Sequence, residues 1–547
     1  MSKSKIKKIL IPVICVICVI ALAAASYGAY FLFGVYGVET KRTYPVSAAV
    51  TDSYYSRVDA GETGVTVIDE KATYQTMQGF GASACWWAQT VGGWDNVKDV
   101  LTLLYDKENG IGLNIFRYNL GAGSKDDEHI YVERSRTESF LKADGTYDFS
   151  ADANAQNTLA IAKSLAGDEL RVTLFANSPP VSLTRNGFAY GSAAHDGDPF
   201  ECNLDPANYE AYADYLYTVA KYFTDGGYRV TDVSPVNEPQ YAWRAWYNAD
   251  GSFSMNQEGC YYHENDMLGL YKALIAKFDG SELDKLGCEL SLFESGAAEG
   301  RNTPTSTILD ALLGKKNGQY KYNKELRDYF DTISTHSYWS SDATKKRMAI
   351  YLSERYSNYD VICTEYCQMT NDGNTGVIDL IQAENGSTNG MTIEYGTAMA
   401  EVVLDDLTLL NAKEWDWWTA CSFGIYPDGL VYLNNDNHSD IQTSKRLWCL
   451  GNFSKFIDEG AVRIAADSGV KKLSNCAFKN PDGSTVIVYV NSKDIDQSTK
   501  LEGINSSSYE VYTTSAEYDL ALTASGDNAA DTVISVPAQS VVTVVLK

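Results

Sequence analysis

Histidine is scarce in this chain of 547 residues: there are five, none in an HExxH arrangement, so a metal-binding helix of that kind is excluded. Cations are outnumbered, 45 Lys and Arg against 71 Asp and Glu. The resulting formal net charge of -26 argues against nucleic acid or an anionic lipid surface as a partner. The eleven cysteines lack any pattern. Cys15 and Cys18 fall in an N-terminal apolar run, and the other nine are an odd number at irregular spacing, which is not a disulfide framework. Cys363 and Cys367 suggest a metal pair only until they are placed on a strand, where residues four apart lie roughly 13 Å from each other. There is no internal repeat, and no small residue of the lipidation kind precedes Cys15 or Cys18. Neither a metal nor a cofactor is implied.

The chain does contain enough apolar material for a large core: 45% hydrophobic residues against 21% charged. Its length suits one large domain and a smaller one. Residues 1–38 begin with Lys3, Lys5, Lys7 and Lys8 and then carry no charge from Ile9 through Val38. That run is long enough to span a bilayer with the lysines left in the cytoplasm, so it is expected to be a signal-anchor, with cleavage after Ala23 to Ala25 as the alternative. The remainder would then be extracellular or at the cell surface, touching membrane only through this segment. A linker is expected over residues 39–61 and a strand over 62–78, where "VTVID" alternates.

Between residues 79 and 458 eight short apolar runs alternate with amphipathic stretches, of which "NYEAYADYLYTVAKYF" is the clearest. The runs are "MQGFGASACWW", "LNIFRYNLG", "LRVTLFANSPP", "RVTDVSPVNEP", "CELSLFESG", "FDTISTHSYW", "YDVICTEYC" and "EWDWWTACS". Eight strands with crossover helices make a (β/α)8 TIM barrel. Residues 459–547 change to short alternating strands separated by Gly, Asn, Asp and Ser turns, the texture of a β-sandwich. About 85 residues are few for a complete sandwich, so the orphan strand "VTVID" is expected to pair with it. The fold class is therefore α/β, a barrel with a β-sandwich side domain completed by an N-terminal strand.

Nearly every barrel run ends in polar or aromatic residues: Arg117, Asn177, Asn237 and Glu238, Glu294, His336 and Tyr338, Glu365, then Trp417 and Trp418. A barrel builds its site at the C-terminal ends of its strands, so these should converge. Two carboxylates in such a mouth can cleave a glycosidic bond, one protonating the departing oxygen and the other attacking or activating water. Taken singly, each glutamate is more simply a salt-bridged strand-end acid. The abundance of Tyr (38) and Trp (10) also suits flat hydroxylated ligands, although most such rings pack in a core.

Several motifs in the same order bear a resemblance to a known family. "VSPVNEPQ" ending the fourth strand and "ICTEYC" ending the seventh look like the retaining (β/α)8 glycoside hydrolases of clan A. With "QGFGAS", "FANSPPVSLTRNG", "TISTHSYW" and "AQSVVTVVL", the chain resembles glycoside hydrolase family 30 over residues 63 to 547. The resemblance implies Glu238 as general acid/base, Glu365 as nucleophile and Asn237 as the amide on the sugar 2-hydroxyl. Arg117 is a candidate cation for holding Glu365 ionised, the nucleophile's pKa being expected low and the acid's high. Asn177, His336, Tyr338 and Trp418 complete the expected substrate contacts, Trp418 as subsite floor and Trp417 less firmly so. Packed core is the plainer reading of these rings.

The long segment "QYAWRAWYNADGSFSMNQEGCYYHEND" after the fourth strand places Trp243 and Trp246 as subsite walls or as a structural lid. "WRAW" followed by "QEGC" resembles the endo-β-1,6-galactanase branch, in which Glu258 would contact substrate or anchor the loop. The expected partner is a polysaccharide or oligosaccharide, and the expected oligomeric state is a monomer. β-1,6-Glucanase, xylanase and exo-β-glycosidase activities are the alternatives within the family. A carbohydrate-binding protein on an inactive scaffold would lack one of the carboxylates, and both are present. A barrel for phosphate chemistry would want a Gly-rich anion site after the seventh or eighth strand, and "CSFGIYPDG" has little of that character.

Overall fold

The computed structural model describes residues 42–547 apart from 194–197, 199, 300–303, 315–322, 369–389, 425, 502–505 and 531. Among the described residues no helix is long and apolar enough to cross a membrane. The expected anchor at 1–38 lies outside them.

All eight runs form strands of one parallel barrel. In order they are Gly79–Ser83, Ile115–Asn119, Arg171–Phe175, Arg229–Ser234, the split pair Glu289–Leu290 and Glu294–Ser295, Thr332–His336, Asp360–Glu365 and Ala412–Trp417. The first pairs with the eighth through Trp415↔Phe80 and Trp417↔Ala82. The fifth closes the ring in two pieces, Glu289–Leu290 on the fourth strand and Glu294–Ser295 on the sixth. Both faces of these strands are covered, which is why they read as apolar runs rather than as alternating ones.

The helices follow from spacing. Tyr209–Asp225 buries Tyr212, Tyr215, Leu216, Val219, Ala220 and Phe223, the three- and four-residue steps of one helical face, and exposes the acids between them. Gly226 ends it, its N–H bonding back to the carbonyl of Tyr222.

The side domain is completed from the N-terminus as expected. Strand Thr63–Thr76 pairs antiparallel with Val462–Asp467 and parallel with Gln497–Leu501, so one strand serves both layers. The segment read as a linker is partly helical: Ala48–Ser56 is capped by Ser47, and Ser53 and Arg57 both bond Asp467. Strand Thr485–Asn491 divides its side chains by parity. Ile487 and Tyr489 enter the sandwich core, while Val486, Val488 and Val490 join the barrel's core. The sandwich is thus docked by a continuous apolar face.

Parity also places acids inside the barrel. On the eighth strand Glu414 and Asp416 face inward and are buried, while Trp415 and Trp417 point outward to bond Asp406 and the carbonyl of Asp428. Burial and the charge of Asp232 push Glu414 from an ordinary 4.5 up to about 7. Burial and Glu414 push Asp416 up as well. Acids raised on folding bind more protons folded than unfolded, so their contribution is full below pH 4.5 and is lost as pH rises through about 7. The urea midpoint should therefore fall between pH 5 and pH 8. Glu414→Gln should remove part of that fall, on the order of 2–3 kcal/mol. An undiminished fall in the variant would assign it to other groups.

Candidate active site

The C-terminal ends of the strands enclose a cleft of about 550 Å³ lined by Glu238, Glu365, Asn237, Tyr338, Trp243 and Trp418 among others. Carboxylate oxygens of Glu238 and Glu365 lie within 4.8 Å of each other. Glu238 sits where its strand has ended: its N–H donates to the Glu294 carbonyl at 2.8 Å, and its φ is +45°. Trp243 and Trp339 in the same cleft also have positive φ, 39° and 50°. Such backbone costs about 1–3 kcal/mol per residue and gathers where surrounding structure over-determines it. Gly296 is required beside Glu238, because a Cβ there would stand 2.9 Å from Glu238 Oε1 and 2.6 Å from the Tyr241 ring.

Glu365 is held at both oxygens. Arg117 donates to Oε2 at 2.8 Å and Tyr338 to Oε1 at 3.0 Å. Arg117 is itself wholly buried, its guanidinium over the Phe175 ring at 3.4 Å, and it also donates to Glu294 at 3.0 Å. Burial works against the Arg117 charge, but Glu294 and Glu365 outweigh it and raise the guanidinium further. Glu294 also receives the Thr364 hydroxyl. Its burial is outweighed by Arg117 and His336, which hold it well below the usual carboxylate range.

His336 is the second cation. It donates from Nδ1 to Glu238 at 3.0 Å and from Nε2 to Glu294 at 3.2 Å, with Glu365 3.6 Å away. Burial opposes its charge, yet Glu365 and the two hydrogen-bonded carboxylates raise it to about 10. Glu238, His336 and Glu365 are close enough to hold a metal ion. The donor set does not fit one: an imidazolium offers no lone pair, and Arg117 already occupies Glu365. Three carboxylates, Glu238, Glu294 and Glu365, thus face two cations, Arg117 and His336. The expectation of a low Glu365 is corrected here. Burial, the largest influence, pushes it up, with Glu238 and Glu294 adding to the push, against the pull of His336 and Arg117.

Other expected contacts are relocated. Arg117, His336 and Asn177 stand behind the cleft wall rather than in it, because they end inward-facing positions that the carboxylates cover. Asn177 receives the Asn237 amide at 3.0 Å and donates to Asn119 at 3.0 Å, a chain of amides across three strand ends that orients Asn237. Glu258 is wholly buried and accepts from Ser124 and Thr137 hydroxyls, both at 2.6 Å, and from the Ala122 N–H at 3.1 Å. It therefore anchors the loop after the second strand and does not reach the cleft. Trp246, 43% exposed, stands on a small hairpin outside the lining with its ring 6.0 Å from that of Tyr131, which does line the cleft. Trp417 is core, while Trp418 packs edge-on to Trp86 at 5.2 Å and faces the cleft.

Sequence reasoning missed Trp86, Tyr131, Arg134, Tyr241, Trp339 and Asp428 in the lining. Trp86 and Trp339 stand a few residues past the strands that end at Ser83 and His336, and were within reach of the strand-end rule. The others come from long loops.

A closed parallel barrel whose strand ends carry two facing carboxylates in an aromatic cleft is the framework of a glycoside hydrolase. The chain belongs to glycoside hydrolase family 30. The sequence model of O-glycosyl hydrolase family 30 matches residues 63–432, and that of the family's β-sandwich domain matches residues 460–544. An endo-β-1,6-galactanase of Hypocrea rufa is 25% identical over 441 residues, 74% of this chain and 79% of that protein. A conserved exported protein from Bacteroides fragilis superposes with a TM-score of 0.75 at 25% identity, covering 88% of this chain and 100% of its own. The catalytic domain of a family 30 xylanase from Talaromyces cellulolyticus shares the fold, with a TM-score of 0.62 at 20% identity over 88% of this chain and 100% of that one.

The relocation of Glu258 is testable. Glu258→Ala strands two hydroxyls and a backbone N–H in the interior, and should lower stability in urea by about 3 kcal/mol. Unchanged stability with a raised KM would instead make Glu258 a substrate contact.

Proposed function

We propose that the protein is a retaining endo-β-1,6-galactanase acting on the galactan side chains of plant arabinogalactan, with Glu365 as nucleophile and Glu238 as general acid/base. The observation that carries the mechanism is the close approach of the two carboxylates in one cleft, an oxygen of Glu238 lying within 4.8 Å of an oxygen of Glu365. Retaining enzymes hold their pair about 5–5.5 Å apart, whereas inverting ones leave about 6.5–9.5 Å for a water.

In the first step Glu238 donates its proton to the departing glycosidic oxygen while a Glu365 oxygen attacks the anomeric carbon from the opposite face. The carbon–oxygen bond to the leaving chain breaks as the glycosyl ester forms. His336, donating to Glu238, supports the carboxylate that results. Glu238 then accepts a proton from water, which attacks the same carbon and releases Glu365. Arg117 and Tyr338, each on one oxygen, orient the nucleophile and receive its charge again on release. In this reading Asn237, oriented by Asn177, bonds the sugar 2-hydroxyl, and Trp418 with Trp86 carries a sugar face.

The galactan substrate rests on the likeness to the Hypocrea rufa enzyme. Endo action is supported by an open cleft whose rim carries exposed Tyr131 and Trp246 beyond the reaction centre. We further read the protein as a monomer exported to the cell surface or medium by residues 1–38.

Product analysis on de-arabinosylated arabinogalactan, linear β-1,6-glucan and glucuronoxylan tests the assignment. Short β-1,6-galacto-oligosaccharides should appear from the galactan alone, and Glu365→Gln should lower kcat by about 10³-fold or more. Glu238→Ala should lose about 10²–10⁴-fold on the polymer but far less on an aryl glycoside whose leaving group needs no proton. Cleavage of glucan or xylan instead would overturn the substrate and leave the mechanism standing. Binding without cleavage of any of them would overturn both.

A further inference from the structure

Two of the buried cysteines belong to different loops and meet. Cys202 lies in the loop after the third barrel strand and Cys260 in the loop after the fourth, 2% and 0% exposed. Their neighbours are tied to three consecutive carbonyls: the Asn203 amide donates to those of Phe188 and Tyr190, each at 2.9 Å, and the Gly259 N–H to that of Ala189, also at 2.9 Å. The Asn203 carbonyl in turn accepts the Arg185 N–H at 2.7 Å, and the Phe200 and Tyr261 rings pack 5.4 Å apart beside the pair. This frame makes Cys202 and Cys260 side-chain neighbours, and the Cys260 thiol donates to the Tyr261 carbonyl at 3.4 Å. In the structure they are thiols in contact, not a bonded pair.

We propose that Cys202 and Cys260 form a disulfide that cross-links the third- and fourth-strand loops. The step forms one S–S bond and breaks two S–H bonds. The sulfurs give up two electrons and two protons to an oxidant of the disulfide class, which is reduced to two thiols. The ring so closed contains the fourth barrel strand with Asn237 and Glu238. It also fixes Gly259, whose backbone lies so close under Trp243 that a Cβ there would stand 2.5 Å from the indole. The cross-link would thus hold one aromatic wall of the cleft against the barrel. Such a bond is suited to an oxidising compartment and acts mainly by restricting the unfolded chain.

The test folds the full chain with oxidised glutathione, denatures it, and alkylates it with and without prior reduction before peptide mapping. The expected result is a joined pair of peptides carrying Cys202 and Cys260, and two fewer alkylated thiols without reductant than with it. In Cys202→Ser the Cys260 peptide should become alkylatable. Reduction should lower the wild-type Tm by about 4 °C and leave that of the variant unchanged. Full alkylation of both cysteines in the unreduced wild type would overturn the proposal. So would a joined peptide that pairs either cysteine with a different partner. This outcome is independent of which polysaccharide the enzyme cuts.

Discussion

The wholly buried ion pair between Arg117 and Glu294 is the constraint on which the site depends. A guanidinium has no place in a barrel interior unless its charge is met there, and Glu294 meets it while also taking the His336 N–H and the Thr364 hydroxyl. With Glu294 committed in this way, Arg117 has a second arm free for Glu365, and His336 has its other nitrogen free for Glu238. One carboxylate that does no chemistry therefore sets the position of both that are proposed to do it. Replacing it by an apolar residue would leave two buried cations opposite two carboxylates whose protons they govern.

That arrangement explains why a strand-end glutamate in a barrel can have three different duties. Glu238 and Glu365 face the cleft from the fourth and seventh strands, whereas Glu294, ending the split fifth strand between them in space, is buried beneath. The break in the fifth strand matters here, since beyond it the segment that follows the fourth strand pairs again, Asn237 bridging to Glu294 and the N–H of Glu238 bonding the Glu294 carbonyl. Local backbone pairing and the charge network thus enforce the same geometry. The left-handed backbone at Glu238 is tolerated because both hold it.

The side domain contributes support rather than chemistry. Strand Thr485–Asn491 presents one set of valines to the barrel and another set of apolar residues to its own core, so the sandwich is packed on the barrel through an apolar face. Strand Thr63–Thr76 ties the beginning of the chain into both layers before the first barrel strand starts. The barrel is in this way clasped at both ends of its sequence.

The eight apolar runs, the place where each stops, and the alternating texture after residue 459 were legible in the sequence, because strand burial and turn chemistry are local properties. Glu238, Glu365, Asn237, Tyr338 and Trp418 were found at strand ends for the same reason. Which side of the wall a residue faces was not legible. Trp417 and Trp418 are adjacent, yet one is core and the other lines the cleft, since alternation along a strand decides by a single residue. Glu258 and Trp246 lie in one long loop whose path is dictated by partners far away in sequence, Ser124 and Thr137 for the first and Tyr131 for the second. The sequence by itself determined the strands and the strand-end chemistry. Only the tertiary structure decided which carboxylate is counter-ion and which face the cleft, because charge neutralisation in a buried site is settled among groups that the chain brings together from five different strands.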